Sequence, residues 1–175
     1  VWEAMTKQPL SLPGPQVTLV ADGHTAARGV LSVTPPPNAV VEEWLRGAMG
    51  PCLDRFLATA GPGVTVGAGE VVLDVTGGGS GGRTTHAALL AAERLAGSDD
   101  LFCAFATDGV DARSGAAGAI VDGTTIHRGG DPAAALRDFD SASYLARTSD
   151  LLRCPPTGTN VSDLWILWRR GRGSS

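Results

Sequence analysis

The chain has 175 residues, of which 43% are hydrophobic and 18% charged, with a formal net charge of −4. That length and balance fit a single folded domain with a sizeable core and exclude a disordered chain. The charge gives no general electrostatic reason to bind nucleic acid or an anionic membrane. Lys7 is the only lysine among 14 basic residues, so a lysine to support a phosphate would have to come from elsewhere. Cys52, Cys103 and Cys154 are well separated and form no CxxC pair, which gives neither a disulfide frame nor a zinc motif and points to a reduced compartment. No apolar run is long enough to span a bilayer and no leader pattern opens the chain, so a cytoplasmic location is expected. Val1 stands where Met would, which suggests a processed or truncated product.

Residues 1–16 are polar and rich in proline and read as a lead-in or linker. Val17 to Val20 is a β-branched run, followed by the loop Asp22-Gly23-His24-Thr25 and a short helix within Ala26 to Val33. Pro35-Pro36-Pro37 breaks that pattern. Asn38 is a fair cap for a helix over Val40 to Ala58, with Pro51 expected to kink or split it. Val64 to Val66 and Glu70 to Val75 read as two strands joined around Gly67-Ala68-Gly69. The loop Gly77 to Gly82 leads into a helix from about Arg83 to Ala96. Leu101 to Ala106 is apolar throughout, as a buried central strand would be. Ala119 to Val121 is another strand. Asp131-Pro132 opens a helix over Ala133 to Phe139, and Asp140-Ser141 a second one through Ala146. Val161 to Trp168 is a buried strand, and residues 169–175 form a flexible basic tail. Alternating strands and helices over 17–168 make the class α/β, a single layered domain with a mixed central sheet and flanking helices.

Gly77-Gly78-Gly79-Ser80-Gly81-Gly82 satisfies G-x-G-x-x-G between a strand and a helix. It reads either as a phosphate loop on a helix N-terminus or as a flexible turn that matches glycine patterns by abundance alone. No Gly-Lys-Ser/Thr follows, so it is not a Walker A loop. Arg83 places a fixed positive charge where the helix dipole disfavours one, which favours anion recognition over a merely solvated arginine. Two later loops carry the oxygen chemistry: Thr107-Asp108-Gly109-Val110-Asp111 and Pro156-Thr157-Gly158-Thr159-Asn160-Val161-Ser162-Asp163. Their acids and hydroxyls suit a phosphate or a metal, and equally suit Asx turns and caps.

Taken together these motifs resemble the C-terminal domain of the MOFRL-type glycerate 2-kinases, also known as hydroxypyruvate reductase-like proteins. The similar stretch runs from about Val64 to Leu167. It includes Gly67-Ala68-Gly69-Glu70, Gly81-Gly82-Arg83, Thr107 to Asp111, Ala116-Ala117-Gly118-Ala119-Ile120-Val121-Asp122-Gly123-Thr124-Thr125 and Pro156 to Leu164. The resemblance implies ATP-dependent phosphorylation of D-glycerate, with Mg²⁺, in a cleft completed by an N-terminal Rossmann-like domain that brings a lysine. That domain would be in cis or on a partner chain, and neither nucleic acid nor membrane is implied. It assigns catalytic roles to Arg83, Asp108 and Asp111. Substrate or nucleotide binding falls to Glu70, Gly81, Gly82, Thr157, Gly158, Thr159, Asn160 and Asp163. The metal ligands are left open.

Departures from the family pattern lie in the loops. Thr84-Thr85-His86 follows Arg83 where the family has Asn-Gln-Glu. Ala112-Arg113-Ser114-Gly115 stands for Gly-Pro-Thr-Asp, and Val71 for a threonine. These changes keep a second reading open, a non-catalytic ligand- or partner-binding module. A third, a nicotinamide-dependent reductase, rests on the glycine pattern. In the kinase reading Arg83 neutralises a phosphoryl group or a substrate carboxylate, and Asp108 and Asp111 hold Mg²⁺ through water or activate the hydroxyl. His24, His86 and His127 show no ligand spacing and read as surface or structural, with only His86 placed beside Arg83. Trp44, Trp165 and Trp168 read as packing residues. Arg169, Arg170 and Arg172 read as a solvated end.

Overall fold

The computed structural model describes residues 20–34, 37–41 and 43–171. The linker expected at 1–16, most of the Val17–Val20 strand, Lys7 and Arg172 lie outside them. Six strands form one sheet: β1 (Asn38–Val40), β2 (Gly63–Gly69), β3 (Leu101–Ala106), β4 (Gly118–Asp122), β5 (Leu151–Leu152) and β6 (Asp163–Arg169). Their order is β1-β2-β6-β3-β4-β5. Only β1 and β2 pair in parallel, and every other neighbour is antiparallel. The helices are α1 (Gly23–Ser32), α2 (Met49–Thr59), α3 (Arg83–Leu95), α4 (Thr125–Gly129), α5 (Ala133–Arg137) and α6 (Ser141–Arg147). The expected mixed α/β architecture is therefore the one found.

Two apolar layers sandwich the sheet, and strand alternation sorts the residues between them. On one face Val64, Val66 and Ala68 of β2 and Leu164 of β6 pack under Ala27 of α1. On the other, Phe102 and Ala104 of β3 and Trp165 and Leu167 of β6 meet α2, α3 and α6. Phe56, Phe102 and Trp165 form a mutual edge-to-face cluster with centroids 5.7 to 6.2 Å apart. Side chains of that size contribute about 1.5–3 kcal/mol each when fully buried, so this triad anchors the domain. The alanines Ala87, Ala88, Ala91 and Ala92 are buried, which lets α3 lie close on β3 and β4.

Three expectations need correction. The helix predicted over Val40 to Ala58 is instead strand β1, an irregular passage and the shorter α2. Asn38 caps no helix start. It pairs with Val64 in the sheet, and its side-chain amide donates to the carbonyls of Leu31 and Thr34 at the end of α1. Pro51 causes no kink, because it falls in the first turn of α2 where no i−4 acceptor is lost. Second, the pair of strands expected at Val64–Val66 and Glu70–Val75 is one strand running through Gly67-Ala68-Gly69. The glycines there serve close packing, since a Cβ on Gly67 would stand 2.9 Å from the Phe56 ring. The 70–75 segment leaves the sheet and keeps only an isolated bridge, Val72 to Ala48. Third, Arg169 is no tail residue. It closes β6, donating to Asp100 Oδ2 at 3.0 Å and to the Leu57 and Ala60 carbonyls at 3.3 and 2.6 Å.

Of the tryptophans, Trp165 is core, whereas Trp44 and Trp168 remain partly exposed. Helix α4 and the two-residue β5 had no strong sequence signal. No helix among the described residues is long and apolar enough to cross a membrane.

Candidate functional site

Sheet register assembles the site from distant segments. Asp163 opens β6 opposite Gly69, the end of β2, and opposite Ala106, the end of β3. Glu70 and Thr107 therefore flank Asp163 although they lie 93 and 56 residues earlier in the chain. Helix α3 begins over the same edge, and Arg83 is its first residue.

Arg83 is held from two sides. Its Nε donates to Asp163 Oδ2 at 3.0 Å and its NH1 pairs with Glu70 at 2.6 Å. The Asp163 side chain is only 6% exposed, while that of Arg83 keeps 40% of its surface open. Burial pushes the Asp163 carboxyl above the usual carboxylate range, and Arg83 draws it back part of the way. Partial burial works against the Arg83 charge, but the bond to Asp163 and the attraction of Asp163, Glu70 and Asp111 outweigh it and leave the guanidinium above its ordinary value. A guanidinium carries five N–H donors, so those not engaged by the two carboxylates remain available to a ligand.

Asp111 sits beneath, almost fully buried. The Thr84 and Thr85 N–H groups donate to its two carboxylate oxygens at 3.1 and 2.9 Å, and the Thr85 hydroxyl adds a bond of 2.8 Å. The Gly82 N–H in turn donates to Thr85 Oγ1 at 2.9 Å. Helix α3 thus lacks a capping side chain of its own at Gly82 and takes its cap from a residue 29 positions later. Gly82 has to be glycine, because a Cβ there would collide with that carboxylate.

The Gly77–Gly82 loop is fastened to the protein. Gly79 N–H donates to the Asp138 carbonyl at 3.0 Å, Ser80 N–H to Asp140 Oδ1 at 2.9 Å, and Ala142 N–H to the Ser80 carbonyl at 2.9 Å. A Cβ on Gly79 would stand 2.6 Å from that of Asp140, and one on Gly81 2.5 Å from Ser141 Oγ. Close approach of protein to protein accounts for these glycines.

Between this loop and the extended 70–75 segment lies a cleft of about 860 Å³. Glu70, Arg83 and Arg113 bring charge to it, Val71, Leu73 and Val75 an apolar wall, and Gly81 and Gly82 backbone. His86, one turn into α3, lines it as well, with its ring stacked on Phe139 at 5.2 Å and 18°. Burial pushes the His86 imidazole down to about 4, Asp111 opposing only weakly, so it is neutral at pH 7. Of the other two histidines, His127 is exposed and His24 half-buried. His86 is buried and belongs to the cleft.

The remaining candidates form a second group. Thr157 Oγ1 donates to the Thr107 carbonyl at 2.5 Å, and Thr107 Oγ1 donates to the Ser162 carbonyl at 2.7 Å and accepts from Val161 N–H at 2.9 Å. Asp108 accepts from Val110 N–H at 2.9 Å, an Asx turn, and its carbonyl accepts from Thr157 N–H at 3.1 Å. Asn160 Oδ1 accepts from Ser162 N–H at 3.3 Å. Thr157, Gly158, Thr159 and Asn160 are exposed and Asp108 is half-buried, and none of the five lines the cleft. Among the described residues no group of three or more His, Cys, Asp or Glu is placed to hold a metal ion.

Sequence reasoning missed Phe139, Ser141 and Arg113 as lining residues. Phe139 follows α5 at φ +57, a conformation that no helix pattern reveals. Its one signal is an isolated large aromatic between Asp138 and Asp140, where only turn residues belong.

Residues 63–163 match the model of the MOFRL family. The chain is 43% identical over 110 residues to a D-glycerate 2-kinase of Thermotoga maritima, covering 60% of this chain and 26% of that protein. Over 110 residues it is 39% identical to a glycerate 2-kinase of Pyrococcus horikoshii, covering 60% of this chain and 25% of the other. The crystal structure of a glycerate kinase from Thermotoga maritima superposes with a TM-score of 0.78 at 30% identity, over 88% of this chain and 42% of that one. The matched stretch is thus about a quarter of the length of these relatives. With more than half of its residues matched and its sheet shared with a glycerate kinase, the chain belongs to the MOFRL family.

Proposed function

We propose that this chain is the MOFRL part of a glycerate 2-kinase-like protein, which phosphorylates D-glycerate from ATP once an N-terminal Rossmann-like domain completes its cleft. The observation that carries the reading is Arg83, aimed by a buried acid and an exposed one at the mouth of the cleft, with donors to spare. Phosphoryl transfer asks mainly for positioning and charge neutralisation, and a planar fork fixed on one side supplies both. ATP, when bound, supplies the phosphoryl group. Arg83 binds an anionic oxygen of the transferred group or of the substrate carboxylate, and Glu70 and Asp163 orient it. Asp108 stands outside the cleft lining with its second carboxylate oxygen unbonded, and takes the proton of the substrate hydroxyl once the completing domain closes over the second group of loops. Asp111 has both carboxylate oxygens committed to protein donors, which does not fit an inner-sphere Mg²⁺ site built on it. The supporting lysine is assigned to the completing domain.

The test is a chimera in which this chain replaces the MOFRL part of a glycerate 2-kinase. With ATP, Mg²⁺ and D-glycerate the chimera turns over, the free chain shows little or no activity, and Arg83→Ala lowers the chimera's kcat by about a hundredfold or more. Robust turnover by the free chain carrying Lys7→Ala would remove the need for a second domain. The commitment of Asp111 to a helix cap favours one other reading, a binding module without catalysis. It predicts a chimera that binds ATP and glycerate in calorimetry and does not turn over.

A further inference from the structure

His86 is more than nine-tenths buried, lines the cleft and has an unpartnered ring nitrogen, Nδ1. Sealed Nδ1 meets neither a donor nor an acceptor, so either neutral tautomer leaves it unsatisfied, and Nε2, which is not sealed and has no partner in the protein, is the ring nitrogen free to meet a ligand. The ring cannot turn away to find a partner. Phe139 stacks on it, and Phe139 is held at φ +57 by a turn fastened on both sides, at Asp138 and Asp140, to the Gly77–Gly82 loop. A non-glycine residue in that region costs about 1–3 kcal/mol and persists where its surroundings enforce it.

His86 also stands three residues after Arg83 on the same helix. Positions so spaced are neighbours, with Cβ atoms about 5–6 Å apart. The two donors differ in kind. Arg83 is a cation suited to a carboxylate or a phosphoryl oxygen, and the imidazole offers an N–H from an apolar wall of Val71, Leu73 and Phe139. An uncharged acceptor is the partner that brings no further ion to that wall.

On the kinase-like reading above, we propose that His86 is a specificity-determining residue of the cleft, donating from Nε2 to a hydroxyl oxygen of a short 2-hydroxy acid whose carboxylate is held by Arg83. The ligand class is a small hydroxycarboxylate, and His86 is what separates it from the same acid without hydroxyls. Neutrality of the imidazole at pH 7 agrees with this role.

The chain has three histidines, so imidazole nitrogen resonances of the full 175-residue protein can be assigned by substitution. The His86 signals are expected to show protonation at Nε2 and to shift with D-glycerate, whereas propionate, which lacks hydroxyls, leaves them in place. His86→Leu weakens D-glycerate binding about five- to tenfold with propionate unchanged, and His86→Gln, which retains an N–H donor, restores most of the loss. Thermal melting of both variants separates these effects from unfolding. A proton on Nδ1, or equal losses for the two acids, overturns the proposal. If D-glycerate binds, weakens with Arg83→Ala and leaves His86 silent, the His86 role falls while the kinase-like reading stands. If D-glycerate moves no resonance at all, the His86 role falls, and the kinase-like reading stands or falls separately on turnover by the chimera.

Discussion

The two sides of Asp163 solve different problems with similar residues. On the Arg83 side, charged groups are paired yet unsaturated: two carboxylates hold the guanidinium and donors remain. On the other side, Thr107–Asp111 and Pro156–Asp163 are laced together, the side chains of Thr107, Thr157 and Asn160 bonding to backbone groups of these two loops. The first arrangement is built to meet something from outside. The second builds a rigid frame whose spare capacity is a free oxygen on Asp108. Asp111 crosses from one to the other, because it belongs by sequence to the laced loop and by contact to the helix that carries Arg83. The contrast teaches that residue type alone did not separate binding groups from framing groups. Exposure and unsatisfied bonding capacity did.

Asp111 is where that contrast breaks hardest. Asp111→Ala removes three bonds and leaves two N–H groups buried without an acceptor at the start of α3. Each orphaned donor costs about 1–3 kcal/mol, so the expected loss is about 4 kcal/mol. It should be read as a lower urea midpoint with unchanged slope. Gly82→Ala should do nearly as much by displacing the same carboxylate. A midpoint within a few tenths of a molar of wild type would show that Asp111 does not cap α3, and would release it for chemistry.

A smaller effect tests the cleft wall. His86 titrates near 6.5 when unfolded and at about 4 in the folded chain. Between those values the unfolded chain takes up a proton that the folded one refuses. Stability from this group is therefore complete above pH 6.5 and is lost as pH falls toward 4, by roughly 3 kcal/mol in all. Other carboxylates also respond near the lower end, so the measure is the difference between wild type and His86→Gln, unfolded in urea at pH 7 and at pH 4.5. Parallel pH dependence of the two proteins would place His86 in water.

Much of this layout was legible before any coordinates. Continuous apolar runs located β3 and β6, because buried strands leave little room for polar residues. Asp-Pro announced α5 through backbone geometry that is local. Arg83 was legible too, as a charge placed against a dipole. The misreadings share a cause in contacts that are remote in sequence. Asn38 looks like a helix cap until the strand beside it is known. Gly67-Ala68-Gly69 looks like a turn until Phe56 fills the space above Gly67. The cap of α3 could not be read at all, since Asp111 lies 29 residues beyond the cap position Gly82, and Phe139 enters the cleft through a turn that no periodicity encodes.

The finest distinction is between Asp108 and Thr157, neighbours in the laced frame. Thr157→Val keeps the shape and removes the hydroxyl that donates to the Thr107 carbonyl, at an expected cost of about 1 kcal/mol. Asp108→Ala removes an exposed Asx bond and should cost about half of that or less. Their effects on the chimeric kinase should run in the opposite order. Asp108→Ala should lower kcat by at least tenfold because it removes the proton acceptor, whereas Thr157→Val leaves kcat within about threefold. If Thr157→Val harms turnover as much as Asp108→Ala does, the frame and the chemistry are not separable, and the division drawn at Asp163 is in the wrong place.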